Sequence, residues 1–249
     1  MKKKLLFLIC FMCLFSVSAL GDIYIDYNYK LAADGTMTTA YDTLLIETFN
    51  NVTTMPNGLD QPQWTWSGDG TIRSGSDMAG YPDDMRFAAP YNEDLMPGGA
   101  DATQYYSVPE TILEDYEPGS EPPAYWYFTE VNFNLEEDES YDYLGLFWGS
   151  VDTYNTFEFL NDNVVVASYD GEIITEAGPA NGNQSAPYSN LYVNFYFLPE
   201  FDAVRFISTD YAFEFDNLAV GVTPVPVPGG MLLAFLGLSI AGIKLRKFV

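Results

Sequence analysis

The sequence predicts an all-β protein, a jelly-roll-like antiparallel β-sandwich, and three observations predict it. No stretch of the body carries convincing helical periodicity. Short alternating or apolar runs recur instead, punctuated by Gly, Asp, Asn and Pro. The body, residues 20–223, is rich in Tyr, Phe and Val, and its size suits one substantial core.

Taken in order, the candidate strands are Ile23–Tyr29, Leu44–Phe49, Trp64–Trp66, Thr71–Ser74, Tyr125–Asn134 and Tyr143–Trp148. Thr156–Leu160, Asn163–Ala167, Tyr192–Phe197, Ala203–Ser208 and Ala212–Val220 complete the set. Asn161-Asp162-Asn163 reads as a hairpin turn, because Asn and Asp tolerate the left-handed conformation, so Thr156–Ala167 is one hairpin. Pro109–Pro123, "PETILEDYEPGSEPP", is acidic and proline-broken and reads as a surface loop. Gly178–Tyr188, "GPANGNQSAPY", is a second long polar loop. In the last run Phe213, Phe215 and Leu218 mark apolar positions, with Glu214 and Asp216-Asn217 between them. Such a closing strand pairs beside an early one in jelly-roll sandwiches.

The two ends differ from the body. Lys2-Lys3-Lys4 form a positive n-region, Leu5 to Phe15 an apolar h-region, and Ser16-Val17-Ser18-Ala19 offer small residues to a signal peptidase. Residues 1–19 are therefore expected to be a signal peptide cut after Ala19, with a cut after Gly21 as the alternative. Residues 224–249 hold Pro226-Val227-Pro228, an apolar stretch from Met231 to Ile243, and the bases Lys244, Arg246 and Lys247. Fifteen helical residues span about 22 Å, short of a bilayer core of roughly 30 Å, so this is expected to be a short transmembrane helix. Its basic end belongs on the cytoplasmic side of the inner membrane.

Composition excludes several activities. Cys10 and Cys13 both lie in the expected signal peptide, and the chain has no histidine. Ser-His and Cys-His nucleophiles and histidine-ligated zinc are thereby removed. Between residues 20 and 223, 35 acids face only Lys30, Arg73, Arg86 and Arg205, a net charge of −31. Such a body repels nucleic acid, which is excluded as a partner. It attracts divalent cations, or stays soluble in salty surroundings as a solvated acidic surface.

The order Pro-x-Pro, short apolar helix and basic end resembles the PEP-CTERM sorting signal of Gram-negative bacteria, in its VPLPA-like variant, with Val227 in place of the middle Glu. The resemblance implies export by a signal peptide, an inner-membrane intermediate, processing by an exosortase-type enzyme, and delivery to the cell surface or extracellular matrix. The body segments Trp66–Ser76, Tyr143–Asp162, Asn190–Phe197 and Phe201–Gly221 resemble a family of exosortase-dependent surface proteins. That second resemblance implies a β-sandwich and a surface location, and carries no catalytic motif.

Candidate site residues are few. Trp64 and Trp66 face the same way on an extended strand and could stack on sugar rings, or else fill a sandwich core. Tyr105-Tyr106 and Tyr125-Trp126-Tyr127 are further candidates for an exposed aromatic surface. Asp69 and Asp77 are candidate ligands of a structural calcium, with Asp83 and Asp84 beside them, although the spacing is not that of an EF-hand loop. No other cofactor is expected.

The leading expectation is thus a non-enzymatic exported surface or matrix protein in weak contact with extracellular polysaccharide. Two other classes remain open: a secreted glycan-active enzyme using paired carboxylates, and a ligand-free acidic coat protein. A glycan array with residues 20–223 separates the binding module from the other two, and turnover abolished by one carboxylate substitution marks the enzyme.

Overall fold

A computed structural model describes residues 23–74, 87–91, 103–110, 127–137, 139–174, 177–210 and 212–223. Residues 1–19, the expected signal peptide including Ala19, the Pro226-Val227-Pro228 motif, Lys244, Arg246, Lys247 and Asp77 lie outside these. Among the described residues no helix is long and apolar enough to cross a membrane.

The described chain is all-β, with fourteen strands and short 3-10 turns at Gly171–Ile174 and Pro187–Ser189. The first seven strands are β1 (Tyr24–Asp26), β2 (Lys30–Leu31), β3 (Met37–Thr38), β4 (Leu45–Glu47), β5 (Thr65–Gly68), β6 (Thr71–Ser74) and β7 (Gln104–Val108). The longer ones follow: β8 (Tyr127–Asn132), β9 (Tyr143–Gly149), β10 (Asn155–Asn161), β11 (Val164–Asp170), β12 (Leu191–Tyr196), β13 (Ala203–Ser208) and β14 (Phe213–Gly221). One antiparallel sheet runs β1-β12-β9-β14-β7-β6, with β4 also on β14, and the other runs β11-β10-β13-β8-β5.

The two sheets bury their facing aromatics against each other in a β-sandwich-like packing. Trp148 of β9 meets Phe157 of β10 edge to face at 4.7 Å, and Phe206 of β13 stacks on Phe215 of β14 at 4.3 Å. Each such side chain contributes about 1.5–3 kcal/mol by leaving water, and each well-set ring pair adds about 0.5–1.5 kcal/mol.

Strand β9, "YLGLFWG", is buried on both faces, which accounts for its unbroken apolar run. Leu144, Leu146 and Trp148 enter the main core. On the other face Phe147 packs with Tyr192 and with Met37 of the small β2–β3 hairpin. The last strand, β14, lies between β9 and the early strand β4, pairing Leu218 with Glu47 and Val220 with Leu45.

A register shift between Asp216 and Ala219 inserts one extra residue into β14. Asn217 takes the left-handed conformation there, at φ 49°. Its side-chain amide nitrogen donates to Thr36 Oγ1 and Met37 O at 2.9 Å, and its backbone carbonyl accepts from the Tyr192 hydroxyl. The bulge thereby ties the β2–β3 hairpin to the outside of the sheet.

The β10–β11 hairpin turns on Asp162 (φ 51°) and Asn163 (φ 62°), the two left-handed residues a type I′ turn requires. Strand β7 falls where the sequence suggested a loop flank with exposed aromatics. Tyr105 and Tyr106 are buried, because β6 and β14 pair on either side of β7.

Candidate functional site

Trp64 is 2% exposed and packs edge to face on Phe133 at 5.0 Å, so its indole offers no face to a sugar. Trp66 is half-buried between Phe49 and Tyr106, with ring centroids at 5.6 and 4.8 Å. Both tryptophans serve the core because Phe49, Tyr106 and Phe133 occupy the space their rings would need to present. Asp69 is exposed, and its backbone N–H donates to Phe128 O at 2.8 Å. Among the described residues no group of three or more acidic or sulfur ligands could hold a metal.

Two arrangements stand out that the sequence did not single out. The first is a polar cluster where one end of both sheets comes together: the last residues of β9 and β13 and the first of β10, β12 and β14. Glu214 lies at a strand position that alternation marks as polar, yet it is 1% exposed. Residues 87–91 cover it: Ala88 N–H donates to Glu214 Oε1 at 2.8 Å, and the Ser150 hydroxyl donates to Oε2 at 3.1 Å. Asn190 Oδ1 accepts from Tyr91 N at 3.1 Å and from Ser150 N at 3.0 Å. The same amide donates to Asn183 O and Ala186 O, which fixes the loop after Gly178.

Asp152 completes the cluster, pressed so close to Gly182 that a Cβ there would lie 2.5 Å from its Oδ1. Burial first, and the nearby Asp152 charge second, push the Glu214 carboxyl up to about 8. Burial and then Asp210 raise Asp152 to about 6, against a bond from Tyr154 that lowers it. Two carboxyls with separated, raised pKa values form the chemical pattern of an acid/base pair. Here both are buried: Glu214 is held by the Ala88 amide and the Ser150 hydroxyl, and Asp152 by the Tyr154 side chain.

The second arrangement is a tyrosine layer on the outer face of the first sheet. Tyr143, Tyr196 and Tyr41 meet at centroid distances of 5.2 to 6.2 Å. The Tyr196 hydroxyl bonds Asp26 at 3.2 Å, and Asn194 Nδ2 donates to Asp26 Oδ1 at 2.9 Å. Exposed Tyr24 sits on Tyr196 at 5.4 Å, a ring supported from beneath with its far side in solvent.

An open groove of about 700 Å³ lies at the opposite end, lined by Glu136, Glu137, Glu139, Asp162, Glu200 and Asp202 among others, and by no base. The described bases are engaged elsewhere. Lys30 pairs with Asp42, Arg73 lies over the Phe87 ring at 3.5 Å, and Arg205 bridges Glu130 and Glu158 at 2.8 Å each.

No protein-family model matches the sequence, and comparison with the curated proteins returns no match.

Proposed function

We propose that this chain is an exported, non-enzymatic protein of the cell surface or extracellular matrix, sorted by an exosortase-type system and held only transiently in the inner membrane. The observation that carries the reading is the three-part layout of residues 224–249, Pro-Val-Pro, apolar stretch and basic cluster, which begins after β14 ends at Gly221. Cleavage near Pro226 would release a body that holds every described strand. The paired, proline-restricted residues disfavour helix and suit a protease or transpeptidase that grips extended backbone.

In this reading the body is a jelly-roll-like sandwich, supported by the pairing of the last strand with the early β4. Its contact with extracellular polysaccharide is weak and uses the supported ring of Tyr24, since Trp64 is buried. The reading of the chain as a carboxylate-dependent enzyme gains no open site from Glu214 and Asp152, which are both buried.

Intact mass measured by cell fraction in the native host tests this. Wild type is expected outside the inner membrane without residues 1–19 and without the residues beyond the proline motif. The variant Pro226→Ala/Pro228→Ala should keep them and stay in the inner membrane. A second arm passes the released body over the host's own polysaccharide, where Tyr24→Ala should weaken retention several-fold. Recovery of wild type only at full length in the inner membrane rejects the sorting reading and makes the segment a permanent anchor.

A further inference from the structure

Among the described residues, strand β11 is an edge of the five-stranded sheet, hydrogen-bonded to β10 and to no other described strand. Edge strands carry unpaired amides and carbonyls that template another strand, and proteins usually blunt them by shortness, proline or charge. The other outer strands of the two main sheets are short: β1 and β4 have three residues, and β5 and β6 have four. β11 has seven, "VVVASYD", with no proline and no charge before Asp170. Its ladder shifts register opposite Phe159/Leu160, so Val166 lacks a direct partner and the usual in-out alternation fails. Val164, Val165 and Val166 are consequently 62%, 44% and 39% exposed in succession.

We propose that β11 is a self-association edge whose occupant is β11 of a second copy of this chain, added antiparallel about a two-fold axis. Charge placement selects this partner and this direction. In a two-fold antiparallel ladder the two Asp170 side chains fall at opposite ends, beside the partner's Val164, whereas parallel addition would set Asp170 against Asp170. The nearest acid on the neighbouring strand, Glu158, is already held by Arg205 at 2.8 Å. Nothing charged in residues 164–169 would select a basic peptide instead.

One seven-residue ladder buries less than the roughly 1,200 Å² of a standard stable interface, so the dimer is weak and concentration-dependent. Two bodies at −31 repel each other, and salt must therefore strengthen the pairing.

Sedimentation equilibrium of the full chain in mild detergent, at about 0.1 M and about 1 M NaCl, tests it. Wild type should move toward twice the monomer mass with concentration, more so in high salt. Val165→Glu/Val166→Glu should weaken association at least about tenfold. Hydrogen exchange on wild type supplies a readout that does not depend on the variant folding: amides of 164–170 should gain protection as concentration rises. Three results overturn the proposal: wild type monomeric at both salts, association that weakens with salt, or concentration-dependent protection that falls outside β11.

Discussion

Asn217 shows how one residue joins two layers of this protein. Its left-handed backbone absorbs the extra residue of β14, and its side chain donates to Thr36, Met37 and Asp216. All of these groups are buried, so losing the donor leaves acceptors unpaired in the interior. Asn217→Ala should cost about 2–4 kcal/mol, combining the lost bonds with a left-handed conformation that alanine resists. Asn217→Gly keeps the backbone and loses only the bonds, so urea unfolding should place it between wild type and the alanine variant. Equal midpoints for all three proteins would show that the hairpin is not anchored here. The sequence hinted at this bulge: the apolar step from Phe215 to Leu218 is three residues, where an even strand steps by two.

Among the elements, β13 depends on Arg205 to cross an acidic sheet face. The register places Arg205 between Glu130 on β8 and Glu158 on β10, so one guanidinium holds two carboxylates. Arg205→Leu leaves those carboxylates flanking β13 with no cation between them. The expected loss is about 1–2 kcal/mol, larger than for an ordinary surface pair because both partners are half-buried. High salt should recover part of it, and a thermal midpoint insensitive to the substitution would discount the ladder. The hairpin β10–β11 was legible because its turn chemistry is local. Strand β7 was not, because its tyrosines sit between an acidic stretch and the proline-broken loop, and only pairing with β6 and β14 makes them core.

For the whole molecule, pH acts through the buried carboxyls. Glu214 rises from an ordinary 4.5 to about 8 and Asp152 from 3.8 to about 6, both chiefly by burial. The folded state therefore binds protons that the unfolded chain has released. Their contribution to stability is complete below about pH 4 and is lost as pH climbs through 6 and then 8. Tyr154, Asp210 and each other are the titratable groups these carboxyls face, and self-repulsion of the acidic body acts in the same direction. The melting temperature should thus be higher at about pH 5.5 than at about pH 8.5, and Glu214→Gln should flatten the difference. A wild-type midpoint that rises with pH over that range would refute the assignment.

The sequence by itself determined the all-β class, most of the long strands, the hairpin at Asp162-Asn163 and the sign of the surface charge, because periodicity, turn conformation and net charge are local or additive properties. It could not separate a tryptophan that meets solvent from one that fills the core, and only the tertiary structure buried Trp64 beneath Phe133. Nor could it assign Glu214 to the interior. That depended on residues 87–91, distant in sequence, crossing over the end of β14 and donating an amide to its carboxyl.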